Sequence, residues 1–250
     1  MNHSNSGLKL ENVRYAYPDG TEAVRDVSFC LNKNEKIALI GPNGAGKSTL
    51  VTLLNGVIEA KGVIEILGTP LKKRNHSQLK SKIGIVFQNP EDQLFCPSIY
   101  EDVAFGPLNF GMDPGKIKSA VRQALSEVGL EGYEQRASLN LSFGEKKLAS
   151  IATILSFDPE VIVMDEPTSN LDPHHRRKII NWIKEHEHTI LLATHDLDMA
   201  AEVTDRVLIM NQGCIVAEGK TRQILTDQRL LEENGLELPL SLQTCQWWES

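Results

Sequence analysis

The segment Gly41-Pro42-Asn43-Gly44-Ala45-Gly46-Lys47-Ser48 decides how this chain folds. An apolar run at 36–40 precedes it, and helix-forming residues at 49–54 follow it. Glycines at these positions let the backbone curl so that successive N–H groups point at one anion, and the helix directs its positive end at the same place. The pattern therefore predicts a strand, a phosphate-binding loop and a helix, which together bind a nucleoside triphosphate.

The triphosphate is expected to lie against this loop and the start of the helix. The position of the pattern between a strand and a helix disfavours the alternative, a glycine-rich turn with a chance lysine. Lys47 is predicted to contact the β- and γ-phosphates, and the Ser48 hydroxyl to ligate Mg²⁺. The residues predicted to bind the nucleotide are Gly41, Pro42, Asn43, Gly44, Ala45, Gly46, Lys47, Ser48 and Thr49.

The composition is that of an ordinary globular protein. Of the 250 residues, 41% are hydrophobic, which suits one large domain or two intimately joined lobes, and we take residues 1–250 as a single domain. The net charge of −7 disfavours a nucleic-acid partner. Because no apolar window approaches the length of a membrane span and the first residues are polar, we expect a cytosolic chain. The cysteines lack paired spacing and are expected to be reduced and structural: Cys30, Cys96, Cys214 and Cys245.

The first third of the chain is predicted to be rich in strands. Apolar and polar residues alternate at 8–15 and 23–31 around the turn 17–20, which indicates an antiparallel β lobe. Two further apolar runs, at 62–68 and 83–87, predict strands that we assign to the nucleotide-binding core.

The rest of the chain alternates helices with strands. Helical spacing from about 98 to 155 predicts an inserted helical subdomain. Strands that alternate with helices imply a parallel sheet, so the expected fold class is α/β, with a P-loop NTPase core, an N-terminal antiparallel lobe and helices inserted between core strands. The individual elements are helices at 114–129 and after Ser142, strand 161–164, helix 174–187, strand 189–194, helix 197–203, the hairpin 207–210 and 214–218, and a short helix and tail at about 220–250.

Two adjacent carboxylates, Asp165 and Glu166, follow the apolar strand 161–164. A parallel sheet delivers the ends of its strands to the ligand, so the pair is expected near the phosphates. One carboxylate can hold Mg²⁺ and the other can orient the attacking water. We assign the metal to Asp165 and the role of general base to Glu166, in preference to a solvated acidic turn.

Three further signals surround this pair. Leu141-Ser142-Phe143-Gly144-Glu145 precedes an apolar helix, which Ser142 can cap, and the free N–H groups there form an anion site. Ser169-Asn170-Leu171-Asp172 follows the carboxylates closely, and His195 ends the strand 189–194. Each signal alone is weak, because caps are common and a lone histidine is more often simply hydrogen-bonded.

In order and spacing these motifs resemble those of the nucleotide-binding subunit of ABC transporters, from about Leu8 to Glu233. The resemblance implies an ATPase domain whose helical subdomain is inserted in a RecA-like core. Its adenine-stacking aromatic residue would be Tyr17 rather than Tyr15. The remaining motifs are Walker A at Gly41–Ser48, the Q-loop glutamine Gln88, the signature at Leu141–Glu145, Walker B ending at Asp165 with Glu166 next, the D-loop at Ser169–Asp172 and the switch histidine His195.

The family's mechanism, as the resemblance implies it, needs two subunits that meet head to tail and enclose ATP. The signature departs from the family's L-S-G-G-Q at Phe143 and Glu145, yet we expect catalysis to survive because Gly144 is kept. The implied catalytic residues are Glu166, His195, Lys47 and Gln88; the Mg²⁺ ligands are Ser48, Gln88 and Asp165; the contacts made across the dimer to the partner's ATP are Ser142, Gly144, Glu145 and Asp172.

Segments 87–95 and 100–107 resemble the ATPases of energy-coupling-factor importers, most closely those for cobalt and nickel. Lys146-Lys147 and segment 193–198 add to that likeness. The resemblance implies a membrane-embedded coupling subunit docked near 89–98, a substrate-binding membrane subunit, and a peripheral position on the cytoplasmic face of the cell membrane. A homodimer is favoured, although vitamin importers of this class often pair two different ATPases.

A soluble ABC ATPase of an assembly system, such as iron–sulfur cluster assembly, shares the same motifs and stays open as the alternative. DNA-repair ABC ATPases are excluded, because too few residues separate Lys47 from Ser142 for their coiled-coil arms. The pairs His174-His175 and His186-Glu187-His188 are interpreted as solvated surface rather than a metal site, since neighbouring helical side chains point to different faces.

Overall fold

The apolar run before the phosphate-binding loop is an inner strand of a six-stranded sheet in the computed structural model, which describes residues 6–243. The strands are β1 (Ser6–Ala16), β2 (Glu22–Asn32), β3 (Lys36–Ile40), β4 (Lys61–Ile66), β5 (Thr69–Pro70), β6 (Ile83–Val86), β7 (Val161–Asp165), β8 (Thr189–Ala193), β9 (Arg206–Asn211) and β10 (Cys214–Lys220). The helices are α1 (Lys47–Leu54), α2 (His76–Lys80), α3 (Ile99–Asn109), α4 (Pro114–Glu127), α5 (Phe143–Leu155), α6 (Pro173–Glu185), α7 (Leu197–Val203), α8 (Thr221–Leu225) and α9 (Gln228–Glu233).

The core sheet has the order β10-β9-β3-β8-β7-β6, and its pairs are parallel except β9 with β10. Every residue of β7 and β8 is buried, as expected of parallel strands covered on both faces. Because β3, β8 and β7 are neighbours, the segments after Ile40, Ala193 and Asp165 leave the sheet side by side. This edge gathers the predicted phosphate loop, carboxylate pair and histidine.

A second, antiparallel sheet with the order β2-β1-β4-β5 forms the N-terminal lobe. The assignment of strand 62–68 to the nucleotide-binding core is wrong, because β4 pairs with β1, with Leu8 opposite Ile66. Ile64 and Ile66 of β4 are buried and face the core of this lobe, while Val63 is exposed. An alternating strand of this kind suits an antiparallel sheet with one solvated face. The strand predicted at 83–87 does join the core, as the edge strand β6.

The helices α3, α4 and α5 lie between β6 and β7 in the chain and pack on one another. Ser98 and Ser142 begin α3 and α5 with capping boxes, in which the glutamate three residues later accepts a hydrogen bond from the serine's backbone N–H. Asp113 caps α4, which starts at Pro114. The shared core of this region includes Val103, Val121, Leu125, Leu148 and Ile151.

Two short helices, α8 and α9, follow the β9–β10 hairpin, where the sequence predicts one. Asp227 separates them by capping α9. Within residues 6–243, no helix is long and apolar enough to cross a membrane. Cys30, Cys96 and Cys214 are free thiols. Cys245 and the pair Trp247-Trp248 lie outside the described residues.

Candidate active site

The phosphate-binding loop turns sharply into α1 at Gly46, which adopts a left-handed conformation with φ of 106°. A Cβ atom at Gly46 would lie too close to the backbone oxygen of Ala23, near the start of β2 in the N-terminal lobe. Gly44 also has a positive φ, 78°, but a Cβ there would meet nothing within 4 Å. An added side chain would therefore strain the backbone at both glycines, but it would clash with neighbouring atoms only at Gly46.

Replacing Gly46 with alanine should lower the free energy of unfolding by about 3 kcal/mol, since left-handed strain and a backbone clash act together. Gly44→Ala adds the strain alone and should cost about 1 kcal/mol. Urea unfolding of the nucleotide-free protein measures both values. Equal losses in the two variants would show that the contact with Ala23 does not hold the loop.

Lys47 begins α1 and is 7% exposed. Its Nζ donates to the backbone oxygens of Gly41, at 2.7 Å, and Pro42, at 3.1 Å. Burial lowers the pKa of Lys47, while the nearby carboxylates of Glu166 and Asp165 oppose that shift. The ammonium is thus held over the loop by weak acceptors, which negatively charged phosphate oxygens can replace.

The end of β7 presents an aspartate suited to a metal ion. Asp165 is 6% exposed, and burial raises its pKa, although a hydrogen bond from the Ser48 side chain opposes the shift. Its Oδ1 is buried without a hydrogen-bond partner among the described residues. An orphaned carboxylate oxygen beside a hydroxyl is the oxygen donor set that Mg²⁺ prefers, so the residues fit this ion.

Glu166 lies directly beside the phosphate loop, in a backbone conformation with φ of 46°. Its N–H donates to the oxygen of Ala193, which ties it to the end of β8. Three side chains contact the same carboxylate oxygen, Oε2: Ser169 Oγ at 3.1 Å, Thr194 Oγ1 at 3.3 Å and His195 Nδ1 at 2.8 Å. Contacts concentrated on Oε2 hold the carboxylate in one orientation and do not involve Oε1.

These groups line one open cleft of about 480 Å³. Tyr17 forms part of its wall and is hydrogen-bonded to Thr49 at 2.9 Å, whereas Tyr15 stands behind it, edge to face. The predicted site residues that line the cleft are Tyr17, Asn43, Gly44, Ala45, Gly46, Lys47, Ser48, Thr49, Gln88, Glu166 and His195. Gly41 and Pro42 supply the carbonyls that hold Lys47, and Asp165 is buried next to the Ser48 side chain.

The signature residues are absent from the lining of this cleft. The Ser142 Oγ accepts a hydrogen bond from Glu145 N, and the Glu145 carboxylate accepts from Ser142 N, at 2.7 Å, and from Tyr133 Oη, at 2.7 Å. Gly144 packs so closely on the imidazole of His175 that a Cβ would lie 2.4 Å from it. Asp172 caps α6 and contacts His175. The structure therefore places Ser142, Gly144, Glu145 and Asp172 outside this cleft, with Gly144 buried against His175.

The sequence assigns no role of their own to two residues that the structure places at or beside this cleft. Thr194 is fully buried and donates to Glu166, and Asn170 lines the cleft with a left-handed φ of 61°. Their positions in the sequence could have indicated them, because Thr194 precedes His195 and Asn170 follows Ser169. A hydroxyl at the end of a buried apolar strand is a polar group that needs a partner.

Comparison with known proteins places these motifs in a family. The family model described as ABC transporter matches residues 24–169, more than half of the chain. A protein of Gloeobacter violaceus that is described as an ABC transporter ATP-binding protein is 50% identical over 238 residues, which cover 94% of this chain and 98% of that protein. The energy-coupling factor transporter ATP-binding protein EcfA of Carboxydothermus hydrogenoformans is 42% identical over 240 residues, which cover 94% of this chain and 88% of EcfA.

A solved structure shares the fold. CbiO1 from Clostridium perfringens, described as part of the ABC transporter complex CbiONQ, superposes with a TM-score of 0.80 at 34% identity, covering 92% of this chain and 94% of that one. The predicted α/β fold, with its antiparallel N-terminal sheet, is confirmed. The chain belongs to the ABC transporter family and is one of its ATP-hydrolysing subunits.

Proposed function

We propose that this chain is the ATPase of an energy-coupling-factor importer. The observation that carries the proposal is the single cleft in which Lys47, Glu166 and His195 converge while the signature lies elsewhere on the chain. The likeness to EcfA and to CbiO1 supports the importer class. Such an ATPase does its work when two subunits close on ATP and reopen after hydrolysis.

Within one cleft, each side chain has a defined task. Lys47 moves its hydrogen bonds from loop carbonyls to the β- and γ-phosphates, and Tyr17 stacks on the adenine. Mg²⁺ would be held by Ser48, Asp165 and Gln88, and when bound it neutralises phosphate charge. Glu166 accepts the proton of the attacking water through Oε1. His195 holds the carboxylate by its contact with Oε2 and lies at the cleft, where it can reach the γ-phosphate.

A second subunit is needed to complete this site. Ser142 begins α5, so its neighbouring free N–H groups form the positive end of a helix. That end lies outside the cleft of its own chain, which suits contact with ATP bound by a partner. The Glu145 carboxylate is hydrogen-bonded to Tyr133 and Ser142 of its own chain, so we propose that it stabilises the start of α5. Ser142 and Gly144 would then contact the partner's γ-phosphate, with Asp172 nearby. We favour two copies of this chain.

An exposed aromatic patch offers a docking surface for the coupling subunit. Phe95 is 64% exposed and packs edge to face on Phe105 of α3, beside the exposed Leu108. The Asp102 carboxylate accepts hydrogen bonds from the N–H groups of Phe95 and Cys96, both at 2.9 Å, and so fixes the loop that presents the ring. We propose that this patch receives the membrane-embedded subunit and holds the ATPase at the cytoplasmic face of the membrane.

The cargo is proposed to be cobalt or nickel, on the strength of the motif resemblance at 87–107. The test begins by isolating the protein from its native membranes in mild detergent, identifying its companions and reconstituting the complex in liposomes. We expect ATP-dependent uptake of radiolabelled cobalt or nickel, absent when the ATPase carries Glu166→Gln. Recovery of a purely soluble complex would contradict the importer and favour an assembly ATPase. Uptake of a vitamin alone would overturn the metal cargo and keep the importer.

A further inference from the structure

Lys147 is a fully buried lysine on α5, the helix that starts at the signature. Its Nζ donates to the backbone oxygens of Phe87, at 2.9 Å, and Gln88, at 2.6 Å. An ammonium group out of contact with water is costly unless its protons are taken up by acceptors. Here two successive carbonyls of the Q-loop segment take them up, and one belongs to the proposed Mg²⁺ ligand Gln88.

The surroundings of Lys147 place it next to the reaction centre. Burial lowers the pKa of Lys147 to about 8, against the attraction of the Asp165 and Glu166 carboxylates. The ammonium therefore lies on the segment that follows β6, and it is attracted by the two carboxylates at the end of β7. A methionine would fill the same space without burying a charge, so packing alone does not explain the lysine.

Other contacts join the same two segments. Gln93 accepts from Phe87 N at 3.2 Å through Oε1, and its Nε2 donates to Ser150 O at 2.9 Å and Thr153 Oγ1 at 2.8 Å, both on α5. Lys146 forms an ion pair with Glu91. Residues 87–93 are thus attached to α5 along its length, and Lys147 makes the attachment that reaches Gln88 itself.

We infer that Lys147 is a positioning residue that couples the signature helix to Gln88 of the same chain. It lies about one turn inside α5, so a displacement of Ser142 is carried to its ammonium by a rigid helix. In the dimer proposed above, Ser142 engages the partner's ATP while Gln88 serves the chain's own ATP. Lys147 therefore links the two ATP sites, and this inference rests on the proposed dimer.

The test uses Lys147→Met, which removes the donor at similar volume, and Lys147→Gln, which keeps a shorter donor. Ser150→Ala is the matched control, because this buried α5 hydroxyl donates only within its own helix, to Lys147 O. The measurements are affinity for a fluorescent ATP analogue, ATPase rate against ATP concentration, and hydrogen exchange of residues 87–93 without nucleotide. Thermal unfolding establishes that each variant is folded.

In Lys147→Met we expect ATP affinity within about twofold of the wild type, a turnover lower by on the order of tenfold, and a Hill coefficient for ATP that falls towards one. Exchange at 87–93 should be faster. The turnover and the Hill coefficient of Lys147→Gln should lie between those of Lys147→Met and the wild type. Ser150→Ala should match the wild type.

Wild-type turnover and cooperativity in folded Lys147→Met would overturn the inference, as would equal defects in the methionine and Ser150→Ala variants. Should Lys147→Met not fold, wild-type cooperativity in Lys147→Gln overturns it, and partial loss at unchanged ATP affinity supports it. Wild-type protein without ATPase activity would count against the proposed function instead. Hydrogen exchange needs neither turnover nor a dimer, so it tests the Lys147 contact separately.

Discussion

Glu166→Gln is expected to bind ATP with near wild-type affinity and to lower turnover about 1,000-fold, the usual scale for loss of a general base. The amide keeps the shape of the carboxylate, and its oxygen can still accept from Ser169 and Thr194. It cannot take a proton from water. Because ATP then persists, closed dimers should accumulate, and size-exclusion chromatography with Mg-ATP should detect them.

Ser169→Ala is the control for this variant, since it removes one hydrogen bond to Oε2 and leaves the carboxylate. We expect it to slow turnover only a few-fold. Single-turnover measurements with saturating ATP compare the chemical step in the two variants directly. Wild-type turnover in Glu166→Gln would remove Glu166 from the role of general base, whatever the control shows.

Two variants should each abolish ATPase activity for different reasons. Lys47→Ala loses charge-assisted hydrogen bonds to phosphate and should bind ATP roughly 10- to 100-fold more weakly. Ser142→Asp keeps a good helix cap but adds a carboxylate where we propose that the partner's γ-phosphate lies. It should bind ATP normally in its own cleft and fail to hydrolyse it, because two negative groups repel.

Ser119→Asp provides the matched control for the added charge, since Ser119 is an exposed helical serine on α4. Titration with a fluorescent ATP analogue, followed by an ATPase assay, separates loss of binding from loss of turnover. Weak ATP binding by Ser142→Asp, with normal binding by Ser119→Asp, would contradict the proposed division of roles between cleft and signature.

The sequence predicts the edge of the core sheet well because each strand there carries a strong signal. β3, β7 and β8 are buried on both faces and therefore read as continuous apolar runs. Asp165 is the last residue of β7, and His195 stands two residues after the end of β8. The sequence of a strand does not indicate which other strand it will pair with. β4 has an ordinary strand composition, and its pairing with β1 depends on contacts far apart in the chain.

The sequence predicts those parts of the candidate site whose functional residues are close together in the chain. The phosphate loop and the capping serine Ser142 each combine a motif with a helix start. Lys147 could not be found this way, because a lysine in a helix is expected on the solvated face and only the tertiary structure buries it. The internal bond between Glu145 and Tyr133 likewise needs the folded chain.

An ATP site shared between two copies of this chain is tested by mixing Lys47→Ala and Ser142→Asp, each inactive alone. In a mixed dimer of this chain, the loop of the Ser142→Asp copy faces the intact signature of the Lys47→Ala copy, and one complete ATP site is restored. With random pairing, half of the dimers carry one intact site of two. Because the two sites are coupled, the recovered activity should be measurable but at most about a quarter of the wild-type value at the same total concentration. No recovery in mixtures that demonstrably form dimers would contradict an ATP site shared between two copies.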